Sequence, residues 1–283
     1  MADALDAWLE TNAPTWAAST VRDQTSRASL VKADKIARTV VDRLSVADVD
    51  RWRARLRERE VGESSIRNQH LVLRAAMSLA ARRGWVSTNV VAVATLGRRK
   101  SVPRAAMAGA DVRKVIAAAW ERDPAAGLAL RLAAVTGARR AELCALVWSD
   151  LDGDRLTIDS SIAIVRTGTA DDERQPELVD APTKTANQRA ARPDGQTIAM
   201  VGALRAEREQ WGPWMLNPGE RPLNPERLTN WWRLARRDAG VDERWRLHDL
   251  RRWSATEAIG HGHDIRAVAG RLGHANPATT LRT

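Results

Sequence analysis

Two arginines, one lysine and two histidines in the second half of the chain have the types and spacing to hold one phosphodiester and move its protons. They are Arg139 in Thr136-Gly137-Ala138-Arg139-Arg140-Ala141-Glu142-Leu143, Lys184 in Pro182-Thr183-Lys184-Thr185, His248 and Arg251 in His248-Asp249-Leu250-Arg251, and His274 in Leu272-Gly273-His274. Phosphoryl transfer is mostly positioning and charge neutralisation, which two arginines provide without a metal or other cofactor. Arg139 follows a Thr-Gly turn that opens a helix, where backbone N–H groups also favour an anion. Arg251 lies three residues after His248, on the same helical face. Two forked guanidinium groups can bracket the non-bridging oxygens of one phosphate and stabilise the added charge of a five-coordinate transition state. Lys184 is the only lysine between residues 115 and 283. A lysine beside other cations can lose its proton near neutrality, which arginine cannot, and this suits a general acid. Glu142, one turn from Arg139, is suited to orienting an arginine, with a plain helix-surface carboxylate as the other reading. Arg140 and Arg252 adjoin the two candidate arginines, and the residues by themselves do not choose between neighbours.

The elements that must position these groups read as mainly α with a small β-sheet insert. Over residues 1 to about 95 the pattern gives four helices. Ala4, Leu5, Trp8 and Leu9 share one face of the first, and Ser19-Thr20 caps a long polar helix running to about Val41. Ser45 caps a third helix built around Val49, Trp52 and Leu56. Ser64-Ser65 starts a fourth, with Leu71, Leu73, Ala76, Met77 and Leu79 interior and Arg67, Asn68, Gln69 and Arg74 outward. Residues 97–104, Gly-Arg-Arg-Lys-Ser-Val-Pro-Arg, are basic, lack apolar periodicity and read as an interdomain linker.

Beyond Ala108, helices are expected over Asp111 to Trp120, Ala125 to Val135 and Ala141 to Trp148. A β-rich insert follows, with strands at Arg155 to Asp159, Ser161 to Val165 and, returning, Gln196 to Met200. Residues 168–176 and 187–195 read as loops or hairpin tips. Helices resume over Val201 to Trp211, Pro225 to Ala239, Leu247 to Gly260 and Asp264 to Leu272.

A formal net charge of +10 makes an anionic partner the first expectation. Basic residues outnumber acidic ones 18 to 11 over residues 1–103 and 27 to 24 over residues 104–283, so the smaller N-terminal part carries most of the excess. Cys144, the single cysteine, has no disulfide partner within the chain and reads as a small core residue, which fits a reduced compartment. No apolar run approaches the ~20 residues of a membrane span, and a cytoplasmic protein is expected. His261 and His263 look like a metal pair, yet no further ligand is spaced to complete a site, and they read as a polar turn. The chain holds 12 Trp but no Phe and no Tyr, for which no physical reason is evident.

The run TGARRAEL, then Lys184, HDLRRWSATEAI and GRLGHANPATTLR resembles the catalytic domain of tyrosine site-specific recombinases of the phage integrase type. The resemblance is strong over residues 105–283 and looser over residues 1–100. It implies a four-helix, SAM-like core-binding domain over residues 1–96, a basic linker over 97–107 and an α+β catalytic domain over 108–283, with no separate arm-binding domain. The family patterns T-G-x-R and H-x-x-R favour Arg139 and Arg251 over their neighbours. Lys184 then matches a general acid carried on a β-hairpin, His248 a general base or phosphate ligand, and His274 a phosphate-contacting histidine. In the family a tyrosine nine or ten residues after that histidine attacks the phosphate and forms a 3′-phosphotyrosyl link. Here position nine is Thr283, the last residue, and the pattern places the tyrosine immediately after it. The chain as given is therefore expected to bind and organise its phosphate without cleaving.

The implied partner is double-stranded DNA at core-type attachment half-sites. A homodimer or tetramer is expected on DNA for the intact protein and a monomer for this form without DNA. Arg67, Gln69, Arg74, Arg98, Arg99, Lys100, Arg233, Arg236 and Arg237 are the expected DNA-facing residues. A type IB topoisomerase and a non-catalytic DNA-binding regulator on the same fold are the competing readings.

Overall fold

The computed structural model describes residues 1–97, 105–165, 177–182 and 188–273, with residues 165 and 177–182 described by their backbone. Lys184, His274, Thr283 and the expected DNA contacts Arg98, Arg99 and Lys100 lie outside the described residues. The chain divides into two compact units, Met1–Ser101 and Val102–Thr283.

In the first unit four main helices, α1 (Ala2–Asn12), α2 (Ala18–Lys32), α3 (Val46–Glu58) and α4 (Glu63–Arg82), are joined by 3₁₀ turns and followed by one short turn of helix, α5 (Val90–Val93). Leu5, Val31, Val49, Trp52, Ile66, Leu73 and Met77 meet in its core. Ser45 and Asp48 cap α3 reciprocally, the Ser45 hydroxyl accepting from the Asp48 N–H and the Asp48 carboxylate accepting from the Ser45 N–H.

Three expectations are corrected here. Helix α2 begins at Ala18 rather than at a Ser19-Thr20 cap and ends at Lys32 rather than near Val41. Asp34 breaks it, because its side chain accepts from the Ile36 N–H and starts a new 3₁₀ turn while pairing with Arg55. Helix α4 begins at Glu63 after Gly62 rather than at the serines. On α4 the buried stripe runs through Ile66, Gln69, His70, Leu73, Ala76, Met77 and Ala80, the i, i+3, i+4 pattern of one helical face. Gln69 is therefore only 3% exposed, and Leu71, expected inside, is 45% exposed between Arg67 and Arg74.

The second unit is built around α7 (Pro124–Thr136), which is buried on nearly every side by α6 (Gly109–Arg122) and the later helices. A Cβ on Gly127 would come within 2.7 Å of the Trp120 backbone, so only glycine lets α6 and α7 approach this closely. After α7 comes α8 (Arg140–Cys144), five residues rather than the expected run to Trp148. Two small antiparallel sheets follow. One has the order β1 (Leu151–Asp152), β2 (Arg155–Ile158), β5 (Arg189–Ala191); the other pairs β3 (Ser160–Val165) with β4 (Glu177–Pro182).

The expected strand at Gln196 to Met200 is instead the start of α9 (Gly195–Arg208). Asp194 accepts from the Thr197 N–H and from the Thr197 hydroxyl, a cap that outweighs the β-branched pattern. The returning strand is β5, inside a segment expected to be loop. Among the described residues three further helices follow: α10 (Pro225–Asp238), α11 (Leu247–Gly260) and α12 (Ile265–Leu272). Cys144 is buried and its thiol is pushed up to about 12 by burial, so it fills the core as a small apolar side chain. No helix among the described residues is long and apolar enough to cross a membrane.

Candidate active site

The turn between α7 and α8 is fixed by its own sequence. The Thr136 hydroxyl donates to the Leu132 carbonyl at 2.7 Å and accepts from the Ala138 N–H at 3.1 Å, which locks the end of α7. Gly137 then takes a left-handed conformation with φ of 65°, and a Cβ there would lie 2.3 Å from Leu272 Cδ2 on α12. Arg139 follows as the N-cap residue of α8. The Glu142 carboxylate accepts from the Arg139 N–H at 2.7 Å and from Arg139 Nη1 at 2.6 Å.

Arg251 reaches the same turn from α11. Its Nη1 donates to the Gly137 carbonyl and its Nη2 to the Leu272 carbonyl, both at 2.5 Å. Arg139 Nη2 donates to the next carbonyl, Gly273, at 3.1 Å. The two arginines thus clamp the end of α12 from two sides. Each spends two of its five N–H donors in these contacts, and among the described residues the others have no partner.

A third guanidinium joins them. Arg189, on β5, donates to both Glu142 oxygens, to Oε1 at 3.2 Å and to Oε2 more closely. Glu142 is 2% exposed, Arg189 8% and Arg251 4%, whereas the Arg139 side chain is 32% exposed. Two guanidinium groups, those of Arg139 and Arg189, therefore share one carboxylate, and the Arg251 guanidinium lies near enough to interact electrostatically with all three in a largely buried cluster. Burial would raise the Glu142 pKa, but the hydrogen bonds and charge of Arg189, with the Arg139 N–H and guanidinium, hold it below the usual carboxylate value. Arg251 is lowered to about 10, first by desolvation and then by Arg139 and Arg189 against the opposing pull of Glu142. It stays charged at neutral pH, and the cluster keeps an excess of two positive charges.

His248 sits one turn before Arg251 on α11 and opens to solvent. Atoms packed around its ring desolvate it, and Arg251, Arg252 and Arg139 repel its proton, so its pKa lies below the usual histidine value. It is therefore neutral near pH 7 and able to accept a proton. With Arg140, Arg233 and Arg246 it lines a groove of about 560 Å³ on the second unit.

The structure brings Arg139, Glu142, His248 and Arg251 together. It adds Arg189, which nothing in the sequence separates from the many other arginines. Of the residues expected to face DNA, Arg67, Arg74, Arg233 and Arg237 are exposed. Two of that set are corrected. Gln69 is buried on α4, its Nε2 donating to the Ser65 hydroxyl at 3.3 Å. Arg236 is half-buried and holds the Glu243 and Trp245 carbonyls, so its guanidinium fastens the segment before α11. His261 stays on its own helix, its Nδ1 2.8 Å from the Glu257 carbonyl.

No curated protein matches the chain. Among solved structures, a lambda integrase fragment (residues 75–356), crystallised as a dimer bound to a COC′ core site, is similar with a TM-score of 0.78 and 18% identity. The match covers 100% of this chain and 94% of that one. The Tn1549 transposon integrase (residues 82–397, Y379F), in complex with transposon right end DNA, is similar with a TM-score of 0.77 and 15% identity, covering 98% and 93%. A lambda integrase tetramer bound to a Holliday junction gives a TM-score of 0.74 and 19% identity, covering 97% and 77%. At these identities the matches carry the fold. Residues 106–283, well over half of the chain and the part that holds the whole arginine cluster, match the model of the phage integrase family, and the chain belongs to that family of tyrosine recombinases.

Proposed function

We propose that this chain is the core-binding and catalytic part of a site-specific recombinase, and that the cluster of Arg139, Arg189 and Arg251 around Glu142 is its phosphate site. The observation that carries the reading is the charge imbalance. Three guanidinium groups with one carboxylate, largely withdrawn from water, call for an anion of about two charges. A phosphodiester passing through a five-coordinate transition state supplies that charge at the moment of reaction. Arg139 and Arg251 hold the non-bridging oxygens, and Lys184 protonates the departing 5′-oxygen. His248, kept neutral by its surroundings, takes up a proton, and His274 adds a phosphate contact. The first unit and the outer face of α10 bind core-type duplex half-sites, on which copies of the chain assemble as dimers or tetramers.

The phosphotyrosyl step needs a phenol, and none of the 283 residues is a tyrosine. The chain as given accordingly binds DNA without forming a covalent link. A nicked duplex that traps covalent product tests this in one gel. The chain itself is expected to leave the DNA strand free, and a version with tyrosine appended as residue 284 is expected to form a 3′-linked adduct that Arg139→Ala and Arg251→Ala abolish. An adduct that survives both substitutions would sink the assignment of the site. Relaxation of supercoiled plasmid without two-site recombination would place the tyrosine-bearing version with the topoisomerases instead.

A further inference from the structure

We infer that Arg189 is a positioning residue of the phosphate site: with Glu142 it forms a buried strut that aims Arg139 at the phosphate and ties the β-insert to the turn at Gly273. This rests on the reading of the cluster as a phosphate site and says how the site is held together.

The strut has a gradient of exposure that gives each member a different job. The Arg189 side chain is 6% exposed, Glu142 is 2% and the Arg139 side chain 32%. The two inner members meet through both carboxylate oxygens, so the plane of the carboxylate is fixed by a fork rather than by a single bond. That plane in turn receives the Arg139 N–H and Nη1, one on each oxygen. Removing Arg189 would leave the carboxylate buried with Arg139 as its only described partner, free to turn and to draw the guanidinium inward. Among the described residues Arg139 has no other fixed partner except the Gly273 carbonyl.

Arg189 also lies against that same carbonyl's residue. A Cβ on Gly273 would stand 3.4 Å from Arg189 Nη1 and 3.7 Å from Arg139 Nη1, so both arginines line the turn that leads to His274. From the other side Arg189 is anchored by the sheet, where it faces Ile158 of β2, a core residue. It stands five residues beyond Lys184 in the sequence. One buried side chain thus links the strand that follows the candidate general acid, the first catalytic arginine and the turn before the second histidine. Arg189 Nε has no hydrogen-bond partner among the described residues, so the side chain is placed for its two Nη contacts rather than for full satisfaction. A buried ion pair is often replaceable by apolar residues with no loss of stability, which makes fixed geometry the better account of this one.

The test uses the full chain and a duplex selected for binding to it from a random pool. The duplex is made with a single methylphosphonate, which removes one phosphate charge, at successive positions. For each protein the ratio of affinities for the phosphate and methylphosphonate duplexes is measured, so any unfolded fraction cancels. Wild type is expected to show one position where the ratio reaches about tenfold or more, the value of one strong charge-assisted contact. Arg139→Ala should bring that ratio to near one, and Arg189→Met should remove most of it. Retention of the wild-type ratio by Arg189→Met while Arg139→Ala loses it would overturn this inference alone. Retention by Arg139→Ala would overturn the phosphate-site reading beneath it. Arg189→Lys keeps the charge, loses the fork and serves if the Met variant does not fold. An intermediate ratio supports the strut, and an undiminished one overturns it.

Discussion

Arg139 and Arg251 carry the same chemistry in unlike surroundings, and their substitutions should separate binding from stability. Arg251 is buried and donates to the Gly137 and Leu272 carbonyls, so it builds the site as well as serving it. A lysine there can satisfy at most part of this pair and leaves a buried carbonyl unpaired. Arg251→Lys is therefore expected to lower stability by about 2–3 kcal/mol, and urea unfolding will show it. Arg139 is partly open, and its contact with Glu142 is within a single turn. Arg139→Lys should cost under about 1 kcal/mol while losing the phosphate discrimination just as fully. Comparable stability losses at the two positions would contradict this division. Arg139 and Glu142 were legible in the sequence because the groups that set them lie within a few positions, Thr136, Gly137 and the i, i+3 carboxylate, whereas Arg251, whose carbonyl partners lie 114 and 21 residues away, was singled out by the H-x-x-R pattern of the resemblance. Arg189 was not, because its partner is 47 residues away across a sheet and a long-range ion pair leaves no local pattern.

At the scale of elements the apolar stripe was enough to find most of the helices, and side-chain caps decided several of the boundaries. Asp34 and Asp194 each overrode a periodic pattern with a single carboxylate on a backbone N–H. On α4 Leu73, Ala76, Met77 and Leu79 are interior as read, but Gln69 and His70, polar by type, take core positions while Leu71 is left outside. His70 is buried, and desolvation followed by the charges of Arg53, Arg74 and Arg67 lowers its pKa to about 4. The unfolded chain takes up this proton near the ordinary histidine value of about 6.5, whereas the folded chain resists it until about 4. The stability that neutral His70 contributes is thus fully present above pH 6.5 and lost as pH falls toward 4, in total about 3 kcal/mol. Tryptophan-detected urea unfolding at fixed pH values across this window should show the loss, and His70→Leu should remove that part of it. A wild-type curve as flat as that of the variant would contradict the assignment. Gly137 offers a second handle at this scale. Gly137→Ala must accommodate a left-handed alanine and a clash with Leu272, and a loss of roughly 2–3 kcal/mol is expected in the same assay.

For the whole molecule, charge decides more than shape, because long-range attraction to DNA depends on how many phosphates the protein neutralises. The first unit holds most of the basic excess, and α4 displays Arg67 and Arg74 on its exposed face with Leu71 between them. The matching inner face is closed by Gln69 and His70, so one helix carries an exposed basic strip and a buried core strip on different faces. Affinity for duplex DNA should fall steeply with salt, log affinity against log salt giving a slope of several units. Arg67→Ala and Arg74→Ala, if each removes one phosphate contact, should each reduce that slope by about one unit and weaken all sequences alike. Gln69→Ala should leave the slope unchanged, since its side chain is withdrawn from solvent, and should act only through stability. Mobility-shift titrations of the three variants at several salt concentrations provide the measurement. A slope that drops for Gln69→Ala, or that holds for both arginine variants, would show that α4 meets DNA with some other face.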